Sequence, residues 1–188
     1  MKDAFVLMAQ NNAWANTTLY AAIAGLSDSA FSGPRPGFFP SLKRTLNHIY
    51  EVDLYYIDAL QETGQGRSVY DRTDVGSCAA LAKLQTALDQ ELIRFCETLR
   101  PQDLDSPRLT RRETGDVYER VGPLLLHLFQ HQIHHRGQVH TMVHHAGIAP
   151  PQLDDFYLEY GRAPTAARYF AEPLGTTKRP QSGERGPQ

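Results

Sequence analysis

Apolar residues recur at helical intervals along four long stretches of this chain. Over residues 3–26, Phe5, Met8, Trp14, Leu19 and Ile23 fall at mixed three- and four-residue steps, with alanine at many positions between. Over 42–63, Leu46, Ile49, Tyr56 and Leu60 share one face, and Ser41 stands where an N-cap is needed. Over 79–99, Leu81, Leu84, Leu88, Leu92 and Phe95 form an apolar stripe that Ser77 can cap. The fourth stretch begins near Val121-Gly122-Pro123, with proline in its first turn, and runs to about residue 146, where Gly147 ends it.

Between these stretches the sequence breaks. Gly33, Pro34, Pro36, Gly37 and Pro40 interrupt any regular structure after the first, and Gly64, Gly66 and Gly76 bracket a loop after the second. Residues 108–120 fit either a short hairpin turning at Thr114-Gly115-Asp116 or a plain loop. Asp154 or Asp155 can cap a short fifth helix over 156–160. From Pro173 onward glycine, proline, threonine, serine and charge dominate, which predicts a disordered tail over 173–188. The expected fold is all-α: one four-helix bundle domain over 1–172, with a short fifth helix and that tail.

Composition narrows the function classes. A chain of 188 residues with 41% hydrophobic and 21% charged residues is long enough for one self-sufficient core. With 19 basic against 21 acidic residues it lacks the basic excess of a nucleic-acid binder. No apolar run of about 20 residues is present to span a bilayer, and no secretory leader is expected. Two cysteines, Cys78 and Cys96, without a CxxC motif suit a reduced, cytoplasmic protein.

Histidine is the anomaly. Of eight, seven lie at 127, 131, 134, 135, 140, 144 and 145, all in the fourth stretch, and only His48 lies elsewhere. A helix turns about 100° per residue, so with His131 at zero, His135 falls at about 40°, His127 at about −40° and His134 at about −60°. The core leucines, valines and Met142 fall between about 20° and about 120°, so these four histidines border the core-facing arc. His140 and His144 fall on the far side, as a solvated or interface surface. Imidazoles four residues apart can ligate one metal ion. Spacing alone leaves His127/His131, His131/His135 and His131/His134 open, and packed structural histidines are the alternative to all three. An open catalytic site wants a third protein ligand, for which His48 is the candidate. A zincin-type peptidase is excluded, because Gln132 stands where HExxH has its glutamate base. Neither a GxSxG elbow nor a Walker loop occurs.

The stretch HQIHHRGQVH at 131–140, preceded by LLLHLF, resembles the C-terminal signature of the DinB-like (damage-inducible) metal-binding superfamily. NNAWANTTL at 11–19, FFPSLKRTLNHI at 38–49 and GIAPPQLDDFYLEY at 147–160 resemble its other conserved pieces, so the resemblance covers about residues 3–160. It implies a four-helix bundle with a divalent metal, zinc or nickel before iron or manganese, held by His48, His131 and His135. His134 and His127 would then be neighbours of the site, with packing the favoured role for His127.

The remaining motif residues have physical readings. Arg136 faces away from the histidines, toward an acidic group or a neighbouring helix. Gly137, costly in mid-helix, suggests close approach of another helix or of the 108–120 segment. Gln138 returns to the histidine face and can orient a ligand imidazole. Asp53 is a candidate for the same task, Glu51 reads as solvated helix face, Trp14 as core, and Asn16 as a bond to another helix or loop. Tyr50, Tyr55, Tyr56, Tyr118 and Arg120 stand near the expected pocket. The resemblance further implies a thiol-dependent S-transferase using a low-molecular-weight thiol and a small electrophile, a non-catalytic metal-binding or stress-response protein, or a metal-dependent hydrolase, with a homodimer frequent among relatives.

Overall fold

The computed structural model describes residues 2–170, so the tail expected over 173–188 lies outside the described residues. Its helices are α1 (Lys2–Ile23), α2 (Asp28–Ser32), α3 (Leu42–Gln61), α4 (Cys78–Thr98) and α5 (Val121–His145), with a hairpin of β1 (Pro107–Arg112) and β2 (Gly115–Arg120) leading into α5. Short 3-10 turns occupy Gly66–Asp71, Pro101–Asp105 and Pro164–Phe170. The four long helices close a ring in which α1 packs on α4 and α5, and α3 packs on α4 and α5.

Local chemistry sets the ends. The Ser41 and Ser77 hydroxyls accept the backbone N–H groups of Arg44 and Ala80 at 3.1 and 3.2 Å, capping α3 and α4. After α3 the chain reverses through Glu62, whose φ of 59° is left-handed. The Asp58 carboxylate then gathers the loop by accepting from the Gln65 and Gly66 backbone N–H groups at 2.9 and 2.7 Å. The first helix stops at Ile23, three residues short of the sequence expectation.

Residues 107–120 resolve as the hairpin. Its strands pair antiparallel from Pro107 with Arg120 to Arg112 with Gly115, and the positive φ of Gly115, 126°, closes the turn. The Tyr55 hydroxyl donates to the Arg111 carbonyl at 2.8 Å, and Arg108 Nε donates to the Leu60 carbonyl at 2.8 Å, pinning the hairpin to α3. Because β2 runs straight into α5, the hairpin also fixes where α5 starts.

The short fifth helix sits later than 156–160. Residues 156–160 are irregular, and the helical turn is the 3-10 segment Pro164–Phe170. Phe156 is nevertheless fully buried, against Trp14 of α1 at 5.5 Å between ring centroids. Trp14 Nε1 donates to Thr165 Oγ1 at 2.9 Å. Trp14 is core, as expected, but of a small cluster with Ala15, Phe156 and Ala166 that straps the segment 156–166 onto α1.

Candidate metal centre

His48 projects from the middle of α3, and His131 and His135 from successive turns of α5, where the two helices pack together. One ring nitrogen from each of the three lies within 4.8 Å of the others. The Nε2 atoms of His48 and His131 face each other at 3.1 Å. A tetrahedral ion with metal–nitrogen bonds of about 2.05 Å has nitrogen–nitrogen edges of about 3.3 Å, so this spacing suits ligands of one cation. Among the described residues His131 Nδ1 is buried without a hydrogen-bond partner, and the hydrogen-bonding contact of that ring is with the His48 imidazole.

Electrostatics keep the lone pairs free. Burial, then the neighbouring His135 and Arg44 charges, pull His48 down to about 4. Burial and the other imidazoles pull His131 down to about 3, and burial also lowers His135. All three rings are therefore neutral near pH 7, the form that ligates a metal. The group could hold a borderline-soft divalent ion, and its donor set fits one.

Gln138 takes the orienting place read from the sequence. Its Oε1 can only accept, so His135 Nδ1 donates to it at 2.9 Å and the Nε2 lone pair of His135 is left free. The Gln138 amide also donates to His134 Nε2 at 3.1 Å, so His134 is exposed and linked to the group indirectly. Phe39 supplies a wall that the sequence reading missed, with its ring 4.5 Å from His48 and 5.8 Å from His135. It lies two residues before the Ser41 cap, and an aromatic in a proline-broken loop carries no periodic signal.

His127 is exposed rather than packed in the core. Its ring stands 5.0 Å from Tyr56 and 6.3 Å from His131, and it lines a cleft with Tyr56, Tyr118 and Arg120. Tyr50, Tyr55 and Tyr56 are all buried in the core, and of the three Tyr56 also lines the cleft. His140 donates to or accepts from nothing on the histidine face. Its Nε2 meets the Pro151 carbonyl at 3.1 Å, while His144 is exposed.

Behind the histidines runs a buried polar network. Arg136 Nη1 donates to Asn12 Oδ1 at 2.6 Å, Asn16 Oδ1 at 2.9 Å and Gln132 Oε1 at 3.2 Å. The Gln132 amide donates to Asp53, and Gln85 Nε2 donates to Asp53 at 2.8 Å and to Asp89 at 3.0 Å. Asp89 also accepts from Asn12 and Asn16. Asp53 thus holds the residue beside His131 and touches no histidine by hydrogen bond. Glu51 is buried, not solvated, and pairs with Arg44 at 3.5 Å. Among the described residues Gly137 has nothing within 4 Å of where a Cβ would sit, so neither another helix nor the hairpin approaches it closely.

A closed ring of four helices with three neutral imidazoles gathered between two of them defines a helical-bundle protein with a candidate metal centre. The sequence matches the DinB family over residues 1–166, and the chain belongs to that family. It is similar to Protein DinB of Bacillus subtilis (strain 168), at 23% identity over 161 residues, 82% of this chain and 92% of that one. It is also similar to the crystal structure of a DinB-like protein from Bacillus cereus ATCC 10987, with a TM-score of 0.58 and 18% identity, covering 74% of this chain and 90% of that one. At that identity the likeness establishes the shared fold. Among the described residues, no helix is long and apolar enough to cross a membrane.

Proposed function

We propose that His48, His131 and His135 bind one divalent metal ion and that the chain is a thiol-dependent S-transferase acting on small electrophiles. The observation that carries this reading is the convergence of three uncharged imidazole nitrogens within 4.8 Å. Zinc or nickel suits an all-imidazole set best, ahead of iron or manganese. On three neutral ligands such an ion keeps its full charge and lowers the pKa of a coordinated thiol or water.

The chain's own groups divide the remaining tasks. The three imidazoles direct lone pairs inward, Gln138 holds the His135 tautomer, and Phe39 shields the His48 side from water. Neither cysteine suits the part of nucleophile. Burial raises the Cys78 thiol and pushes Cys96 up to about 12, and both sit on α4 away from the histidines. The thiol in this reading comes from solution, as a low-molecular-weight cytoplasmic compound. The working form is a homodimer in the cytoplasm.

Protein purified without an affinity tag should carry about one divalent ion per chain, and His48→Ala or His135→Ala should abolish it. Retention of the metal in those variants would refute the ligand set. The loaded protein should conjugate a cellular thiol with 1-chloro-2,4-dinitrobenzene. Absence of turnover across several thiols would favour a non-catalytic metal-binding protein, and cleavage of ester or amide probes without thiol would favour a hydrolase.

A further inference from the structure

Beside the three histidines lies a cleft of about 480 Å³, within the size range of small-molecule sites, for which metal binding has no use. The hairpin forms one wall with Arg112, Tyr118 and Arg120, and Tyr56 and His127 stand on the other. The His127 ring is shared, because it reaches Tyr56 at 5.0 Å on one side and His131 at 6.3 Å on the other. A ligand seated in the cleft can therefore extend to the histidines.

The charges in the cleft are not equivalent. Glu119 is neutralised inside the wall, accepting from Arg112 Nη2 at 2.6 Å and from Thr110 Oγ1 at 2.8 Å. Arg112 is committed as well, since its Nη1 donates to the Tyr56 hydroxyl at 3.1 Å. Arg120 is different. Among the described residues it pairs with Asp105 at 3.2 Å, and the two side chains are 64% and 80% exposed. A pair so exposed is worth little, and its fork is free to exchange partners. A guanidinium offers paired donors that match a carboxylate. Next to it Tyr118 leaves a large aromatic face 72% exposed, which no packing within the described chain explains.

We propose that this cleft holds the carboxylate end of a small-molecule ligand, gripped by Arg120 and covered by Tyr118, with its other end directed past His127 to the three histidines. The direction in which the ligand points rests on the metal reading above, but the carboxylate preference does not.

The test is an NMR titration of the full-length, metal-loaded protein with succinate and with succinamide, its uncharged analogue. Succinate should shift the His127 and Tyr118 ring resonances and bind roughly ten-fold more tightly than succinamide, as a charge-assisted contact predicts. Arg120→Gln should erase that preference with metal content unchanged, and Tyr118→Ala should weaken both probes. Equal affinities, or a preference that survives Arg120→Gln, would overturn the proposal. The metal-free protein should keep the preference. Failure to find an ion or thiol turnover therefore strikes the S-transferase reading alone, whereas loss of the charge preference strikes the cleft alone.

Discussion

Two rows of side chains leave α5 one residue apart and enter opposite surroundings. His131 and His135 turn toward His48 and Phe39, at a partly exposed edge where lone pairs are left free. Gln132 and Arg136, about 100° further round the helix, turn into the centre of the bundle, where they are hydrogen-bonded to α3 and α1 respectively. The first row has chemistry to offer and little to hold it. The second is tied into the bundle by hydrogen bonds from Arg136 Nη1 and the Gln132 amide. Apolar packing alone tolerates small helix rotations, but the Arg136 and Gln132 bonds are satisfied together in one orientation of α5. Any rotation that separated His131 from His48 would also break those bonds. The buried row acts as the anchor of the reactive one.

Removing the anchor should therefore cost far more than removing a ligand. Arg136→Ala leaves Asp53 and Asp89 buried without their cation, a change expected to destabilise by about 3–5 kcal/mol. In metal-free protein, His48→Ala at the partly exposed edge should cost about 1 kcal/mol. Urea unfolding of the two variants at pH 7 measures both. Equal costs would mean that the polar centre does not anchor α5.

The pH dependence of stability separates the rows in a second way. Burial pushes the Asp89 carboxyl up to about 6, against an unfolded value near 3.9. Its folded pKa is the higher, so the native state binds the extra proton. The stability Asp89 contributes is complete below about pH 4 and is lost as pH rises through about 6. The imidazoles have the opposite sign. Their folded pKa values are depressed, so stability is lost as pH falls from about 6.5. The difference in unfolding free energy between wild type and Asp89→Asn should fall by on the order of 2–3 kcal/mol from pH 4 to pH 7. A difference that stays flat over that interval would show that Asp89 is already ionised in the native state at pH 4.

How far the sequence could disclose these rows follows from their chemistry. The four long helices were legible because burial imposes a period, and Ser41 and Ser77 mark two starts. On α5 the spacing discloses histidines at ligating intervals but leaves His127/His131, His131/His135 and His131/His134 open, and it is the family resemblance that selects His131 with His135. His48, 83 residues from His131, carries no periodic signal; as the one histidine outside the fourth stretch it is the candidate third ligand, and the family resemblance assigns it that place. The polar centre left a trace that went unread. Gln85 and Asp89 sit on the face of Leu81, Leu88 and Leu92, whereas Leu84, counted in the apolar stripe, is 39% exposed. The hairpin stayed ambiguous because only Thr110 of its twelve strand residues is buried, so no alternation of apolar and polar positions appears. Phe156 is held by Trp14 and its aromatic neighbours rather than by a helix, which defeats a reading based on capping aspartates.

Gln138 tests whether the exposed edge has support of its own. It contacts His135 and His134 and none of the buried network. Gln138→Ala should weaken metal binding by about 10- to 100-fold while changing metal-free stability by no more than about 0.5 kcal/mol. Competition with a chelator and a thermal melt give the two numbers. An affinity unchanged from wild type would place all orientation of His135 in the anchor row.

The smallest effect concerns a third row on α5, which faces away from both others. Gly137 weakens the helix, and the sequence suggested that a close neighbour demands it, yet a Cβ there would meet nothing within 4 Å. Within one chain, Gly137→Ala should then stabilise by about 0.5–1 kcal/mol through the lower entropy of the unfolded state. A melting temperature raised by about 2–4 °C with unchanged metal content would report this. The same face carries Leu126 and Ile133, 62% and 53% exposed. If alanine instead destabilises the protein and lowers its apparent mass in light scattering, the glycine is answering a contact from a second copy, and the proposed homodimer is formed along this face of α5.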